Sequence, residues 1–460
     1  MTARPVSDGG LRGPVAVIGF AVTGQAVARV LGAMGLEIVA IEDAPTPERR
    51  AAARSLGVDL VMAPDEGELA AAVRRCALVV VSPGVTPRHP VFSVVEPERL
   101  VSEIELAGRL SPVPIVAVTG TNGKTTVTAL VAAMLAASGV RAEASGNIGE
   151  PLISSVTGGE VDVAVAEVSS FQLALSPSFR PHVATWLNLA ENHLDWHRSF
   201  ADYVSAKSRI WANQHADDVS VANLDDPIVA AEAQRSPGRL VTFRSAGAGY
   251  RLVDNRFLAP DGDVLVTTRD LVRNLPHDAQ NALGALATAR EAGASVDGCR
   301  EALQKTAPPI HRLTHVATVE GVAYFDDSKA TTPAAVAAAL RGFPTVVLIL
   351  GGRNKGLDLA AVRRAVDGEP GCALHGVVAI GEAAPDVVAA FAPDHAVPTA
   401  GSMGEAVSLA SQLARPGDTV LLSPGCASFD WYESFEARGD DFTREVWKLS
   451  ARAVSRQAGG

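Results

Sequence analysis

The chain has 460 residues, 47% apolar and 20% charged, and its 40 basic and 51 acidic side chains give a net charge of −11. That length supports about three domains at roughly 150 residues each. The acidic balance argues against non-specific binding to nucleic acid or anionic membrane, so a polyanionic ligand must be met by local positive groups.

The first residues, Met1 to Gly13, lack the apolar core of a signal peptide, and no stretch approaches the ~18 uninterrupted apolar residues of a membrane span. Cys76, Cys299, Cys372 and Cys426 are widely spaced, with no CxxC pair, as reduced thiols of a cytoplasmic protein would be.

In chain order, residues 14 to 19 (PVAVIG) predict a strand, followed by a turn through Thr23 and Gly24, a helix over 25–34 and a second strand over 37–41 that ends in Glu42-Asp43. Strand, glycine turn, helix and strand with a terminal acid outline a Rossmann-like nucleotide fold. The turn Gly19 to Gly24 lacks the middle glycine that lets backbone approach a dinucleotide pyrophosphate, so NAD binding is the weaker reading. A buried strand over 77–81 then runs into Ser82-Pro83-Gly84, and Ser111-Pro112-Val113-Pro114 reads as a linker.

Next comes Val116-Ala117-Val118-Thr119-Gly120-Thr121-Asn122-Gly123-Lys124-Thr125-Thr126, an apolar strand that ends in a glycine loop before the alanine-rich helix expected over 128–138. A loop so placed meets the unpaired N–H groups and roughly half a positive charge of a helix N-terminus, which suits phosphate. Lys124 would reach the β- and γ-phosphates, and the Thr125 hydroxyl would ligate Mg²⁺. The first glycine of GxxxxGK[ST] is absent, since that position holds Val118. A strand over 161–168 places Glu167 near its end, and one over 184–189 delivers Asn188, Glu191, Asn192, His193 and Asp195 to a loop. Parallel strands of one sheet would bring Lys124, Glu167 and His193 to a common edge.

Residues 202–213 read as an amphipathic helix carrying Lys207, which taken alone is a solvated surface lysine. Asp261-Gly262 suggests a hairpin, and Asp278 a cap for a helix that begins near Asn281. After Ala307-Pro308-Pro309, strands over 322–325, 346–350 and 420–423 lead into Asp326 to Thr331, Gly351 to Lys355 and Pro424 to Ser428, with Thr332-Pro333 as N-cap and first turn of a helix. This is a third alternating β/α region with its polar residues at strand ends.

Taken together, Gly120 to Thr126, Gly146-Asn147-Ile148-Gly149, Glu167 to Gln172, His311-Arg312, Asp327 to Thr331 and Ser423 to Ser428 resemble the ATP-dependent Mur ligases of peptidoglycan synthesis, in the branch that adds D-glutamate. The likeness runs from about residue 14 to residue 449 and includes the missing early glycine. It implies an α/β chain of three domains: a Rossmann-like domain for the nucleotide substrate over 1–102, a central P-loop ATPase-like domain with a mainly parallel sheet over 103–308, and a Rossmann-like domain over 309–460.

It also implies amide formation between UDP-N-acetylmuramoyl-L-alanine and D-glutamate, driven by ATP with two Mg²⁺ ions, through an acyl phosphate. By resemblance, Gly120, Thr121, Asn122, Gly123, Lys124, Thr125, Thr126, Asn281, Arg312, Asp327 and Lys329 hold ATP. Thr125, Glu167, His193 and a carbamylated Lys207 hold the ions, with Lys124, His193 and Lys207 catalytic. Thr23, Asp43, Ser82, Gly84 and Asn147 contact the UDP-sugar, and Thr331, Lys355, Ser428, Phe429 and Phe435 contact D-glutamate. The sequence departs from the family's pattern at Asn192, where an acid is usual, and at Ala44-Pro45, which offers no side-chain donor. A sister ligase acting on another amino acid, a silent nucleotide-binding regulator and an oxidoreductase are the alternatives. No partner other than small molecules is expected, and the chain is expected to be a monomer.

Overall fold

The computed structural model describes residues 11–193, 196–368, 372–392 and 396–458, which leaves Asp195 outside the described residues. Three sheets organise the chain. β1 (Val15–Ile18), β2 (Ile38–Glu42), β3 (Asp59–Met62), β4 (Leu78–Val81) and β5 (Leu100–Ser102) form a parallel sheet in the order β3-β2-β1-β4-β5. β6 (Ile115–Thr119), β7 (Ala142–Gly146), β8 (Val163–Glu167), β9 (Val183–Trp186), β10 (Val219–Asn223), β11 (Arg239–Arg244), β12 (Tyr250–Val253), β13 (Arg256–Leu258) and β14 (Val264–Thr267) follow in the order β14-β13-β12-β11-β10-β9-β6-β8-β7. Only β13 runs against the others, antiparallel to β12 and to β14, and it pairs with β14 on either side of Asp261-Gly262, as the turn signal predicts. β15 (Thr314–Val319), β16 (Val322–Asp326), β17 (Thr345–Gly351), β18 (Ala373–Ile380), β19 (Thr399–Ala400) and β20 (Thr419–Gly425) form the third sheet, in the order β15-β16-β20-β17-β18-β19 with β15 antiparallel.

The side-chain period of two explains why the strands are apolar throughout. In β1, Val15 and Val17 enter one core while Ala16 and Ile18 enter another. In β17, Val346, Leu348 and Leu350 bury on one face and Val347 and Ile349 on the other. Helices cover both faces of such sheets, so no alternation with polar residues survives.

The described residues form two compact units. The first holds the first two sheets and comprises the chain up to Leu189, Trp196–Val272 and Ala279–Thr306. One continuous core joins its sheets, running from Val15 and Val80 through Leu106 to Ala117, Leu152 and Trp186. The second unit holds the third sheet, together with the short segments that begin at Ala190 and at Arg273.

Three local expectations are corrected. Helix Val22–Ala33 begins three residues early, so Thr23 and Gly24 lie in its first turn and not in the loop before it. The reason is close packing: a Cβ at Gly24 would stand 2.1 Å from the Gly19 carbonyl. Helix Pro276–Glu291 likewise starts before Asn281, because proline suits a first helical turn. Asp278 therefore sits within that turn, bonded to the Arg273 guanidinium at 2.7 Å and the Leu275 N–H at 3.1 Å. Lys207, read alone as a surface residue, is 1% exposed.

Glu103 ties two helices of the first unit together. It is fully buried at the start of helix Glu103–Leu110, and Oε1 accepts the N–H of Ile153 at 2.6 Å while Oε2 has no partner among the described residues. Burial without a cation pushes its carboxyl up to about 7. The folded chain thus holds a proton that the unfolded chain, with a glutamate pKa of about 4.3, releases. The stability so conferred is complete below about pH 4 and is lost as pH rises through about 7. Glu103→Gln should therefore stabilise the protein at pH 8, change little at pH 4 and flatten the dependence between them, as read by denaturant unfolding at each pH.

Candidate active site

β6 occupies the interior of the central sheet, between β9 and β8, so the loop that follows it is flanked by the ends of two parallel neighbours. Gly120 (φ 158°) and Gly123 (φ 82°) both adopt backbone that disfavours other residues. A Cβ on Gly123 would stand 2.4 Å from Asn281 Oδ1, which brings Asn281 against the loop. Helix Lys124–Ala137 then starts at Lys124 itself, with no side-chain cap, which leaves the first-turn N–H groups without intrahelical acceptors.

The side chain of Asn188, just beyond β9, holds the first half of this loop. Its Oδ1 accepts the N–H groups of Thr121 at 3.1 Å and Asn122 at 2.8 Å, and its Nδ2 donates to the Asn122 carbonyl at 3.1 Å. The donors of Thr121 and Asn122 are thereby used inside the protein, which leaves the half from Gly123 onward as the candidate for an anionic ligand. Asn188 is identifiable in the sequence as a polar residue at a strand end, but its partner depends on β9 lying beside β6.

The charged groups gather at the same edge. Thr125 Oγ1 donates to Glu167 Oε2 at 2.8 Å, and Asn147 Nδ2 donates to Glu167 Oε1 at 2.8 Å. Glu167 is buried at the end of β8, and Gly146 is needed there because a Cβ would lie 2.6 Å from the Glu167 carbonyl. Lys124 Nζ donates to the carbonyls of Gly120 and Thr121, both at 3.0 Å. Lys207, on helix Phe200–Ala212, reaches Gly120 O at 2.9 Å and Thr119 Oγ1 at 3.2 Å, with Tyr203 packed against its ammonium. Burial, then the charge of Lys124, pulls the Lys207 amine well below its ordinary range, against a weaker opposing pull from Glu167. Thr125 and Glu167 offer the hard oxygen donors that Mg²⁺ prefers, so the residues present fit the ion.

Of the expected trio, Lys124 and Glu167 are brought together. His193 belongs to the segment that packs with the second unit, at φ 57°, with its N–H on Asn192 Oδ1 at 2.8 Å. Asn192 thus has a local role that a carboxylate could also fill. Asn147, expected at the UDP-sugar, is bonded to Glu167.

At the C-terminal edge of the first sheet, Thr23, Asp43, Ser82 and Gly84 lie on the segments that follow β1, β2 and β4. Ser82 Oγ donates to the Gly19 carbonyl at 2.8 Å. Of the two acids ending β2, Glu42 is buried and taken up by the loops, accepting the N–H groups of Phe20 at 2.8 Å and Ala44 at 3.0 Å.

Within the second unit, Asp327 is buried beside Ser423, whose hydroxyl donates to it at 2.8 Å, and burial pushes its carboxyl up to about 7. Lys329 Nζ lies 3.8 Å from the centre of the Phe435 ring. Arg312 and Thr331 are half-buried, Lys355 is exposed, Ser428 is buried and Phe429 is 58% exposed. Buried Arg438 joins the two loops that carry these residues, donating to Ser328 Oγ and O at 2.9 Å and to the Cys426 carbonyl at 3.1 Å. Nothing in the local sequence marks it, since an arginine in a long C-terminal helix reads as solvated.

A phosphate loop with an adjacent carboxylate and a buried lysine, set in a three-sheet α/β chain, defines a nucleoside triphosphate-using enzyme. The Mur ligase middle domain family matches residues 118–289, and the Mur ligase glutamate ligase domain family matches residues 311–426. A protein of Desulfosudis oleivorans named UDP-N-acetylmuramoylalanine--D-glutamate ligase is 41% identical over 95% of this chain and 96% of its own. One of the same name from Frankia casuarinae is 40% identical over 94% and 93%. Among solved structures, MurF of Acinetobacter baumannii (TM-score 0.58, 17% identity, 94% of this chain and 93% of that one) and the UDP-N-acetylmuramate-alanine ligase MurC of Thermotoga maritima (0.57, 18%, 95% and 100%) share the fold. The chain belongs to the Mur ligase family, whose members use ATP and Mg²⁺.

Three hydrogen bonds at about 1 kcal/mol each make the Asn188 side chain a support of the first half of the loop. Asn188→Ala should raise the KM for ATP about tenfold or more and leave the KM for the amino acid unchanged, as steady-state kinetics would show.

Proposed function

We propose that this chain joins D-glutamate to UDP-N-acetylmuramoyl-L-alanine, using ATP, as a step of peptidoglycan precursor synthesis. The relatives of that name, similar over nearly the whole chain, support the substrates. The observation that supports the chemistry is the convergence of Lys124, Thr125, Glu167 and Lys207 around the β6 loop. Domain limits at 1–102, 103–308 and 309–460, a cytoplasmic location and a monomeric state belong to the same reading.

A carboxylate is a poor electrophile, so its oxygen first attacks the γ-phosphorus, forming an acyl phosphate and releasing ADP. The amine of D-glutamate then adds to the acyl carbon, and the tetrahedral species expels inorganic phosphate to leave the amide. Lys124 and the helix N-terminus neutralise the transferring phosphoryl charge. Mg²⁺ would supply further neutralisation, with Thr125, Glu167, His193 and Lys207 assigned to two such ions. Asn281, Arg312, Asp327 and Lys329 are assigned to ATP, and Thr331, Lys355, Ser428, Phe429 and Phe435 to D-glutamate, with the Lys355 ammonium for its side-chain carboxylate. Carbamylation requires a neutral amine, and the lowered pKa of buried Lys207 supports it as the modified ligand.

ADP release with UDP-N-acetylmuramoyl-L-alanine and a panel of D- and L-amino acids should respond to D-glutamate alone; an equal response to another amino acid would contradict the assignment. Lys207→Ala should lose most turnover and regain part of it with added short carboxylic acids, whereas Lys124→Ala should stay inactive under both conditions.

A further inference from the structure

β2 and β4 flank β1, so the loop that follows β1 lies between the loops that follow its neighbours, where ligands of such sheets bind. One side-chain contact links the outer two. His89, from the loop after β4, places Nε2 3.1 Å from Oδ2 of Asp43, just past β2. Strands two apart are separated by about 10 Å, so the contact spans the end of β1.

The tautomer of His89 follows from its second contact. The N–H of Val91 points at Nδ1 at 3.0 Å, so Nδ1 accepts and the ring proton sits on Nε2, which donates to Asp43. The imidazole is only 10% exposed, while the Asp43 carboxylate is 61% exposed. The loop that bears His89 is fixed at further points, by Ser82 Oγ on Gly19 O and by Trp196 Nε1 on the Val85 carbonyl at 3.4 Å. A hydrogen bond to a carboxylate that is largely exposed contributes little to stability. A rigid imidazole that restrains an otherwise mobile carboxylate instead lowers the ordering cost when a ligand uses that carboxylate. Glu42, the other acid at this strand end, is already taken up by backbone N–H groups.

We propose that His89 is a positioning residue for the UDP-sugar substrate, holding Asp43 over the end of β1 in the orientation that accepts hydrogen bonds from the uridine moiety. The inference rests on the proposed function, which places the UDP-sugar at Asp43.

Two measurements test it: binding of UDP alone by titration calorimetry, and steady-state kinetics with all three substrates. His89→Ala should weaken UDP and raise the KM for the UDP-sugar about tenfold, with kcat and the KM for ATP unchanged. His89→Gln, which keeps an N–H donor, should recover most of that loss. Asp43→Ala should give a similar loss, and the double variant should be no worse than Asp43→Ala, because one residue acts through the other. Unchanged UDP affinity in His89→Ala or in Asp43→Ala would overturn the inference. So would losses that simply add in the double variant, or a parallel rise in the KM for ATP, which would mark His89 as a folding residue. The UDP titration reads the inference even if the acceptor amino acid proves different, so its failure and that of the proposed function are separable.

Discussion

Two lysine amines share one carbonyl oxygen. Lys124 and Lys207 both donate to Gly120 O, at 3.0 and 2.9 Å, at the end of a buried strand. Two ammonium ions so close repel strongly where water is scarce, and the residue that yields is the one that is wholly buried. Lys124 begins a helix and is the residue proposed to meet phosphate. Lys207 is driven toward the neutral amine. The contrast between the two lysines thus follows from how deeply each is buried around one backbone oxygen.

The surroundings keep both lysines in place. Asn188 locks the loop from the β9 side and Glu167 with Thr125 from the β8 side, so the two strands that flank β6 each contribute one clamp. The glycines mark where backbone approaches too closely for a side chain: Gly123 against Asn281, and Gly146 against the Glu167 carbonyl. The same logic recurs in the second unit, where Arg438 gathers the Ser328 and Cys426 loops beneath the residues assigned to ATP and D-glutamate.

The parts legible in the sequence are those fixed by local chemistry. The strand ending at Glu167, the hairpin at Asp261-Gly262 and the Thr332-Pro333 helix start depend on neighbours within a few residues and take the expected form, whereas the helix after the Gly120 loop starts at Lys124, four residues before the expected Thr128. The short strands β3 and β5 are absent from the sequence reading: β3 is only partly buried and β5 spans three residues, so neither carries a strong pattern. Lys207 reads as solvated because a single lysine on an amphipathic helix gives no sign of which face is covered. The partners of Asn188, Arg438 and His89 depend on which strands are neighbours, information that a strand-by-strand reading lacks.

The proposed function requires that Lys207, its pKa lowered first by burial and then by the charge of Lys124, be open to carbamylation. Carbon-13 NMR of the protein with Mg²⁺ and labelled bicarbonate tests it directly. Wild-type protein should show a protein-bound carbamate carbon that disappears in Lys207→Ala. A spectrum without that signal in active wild-type enzyme would contradict it.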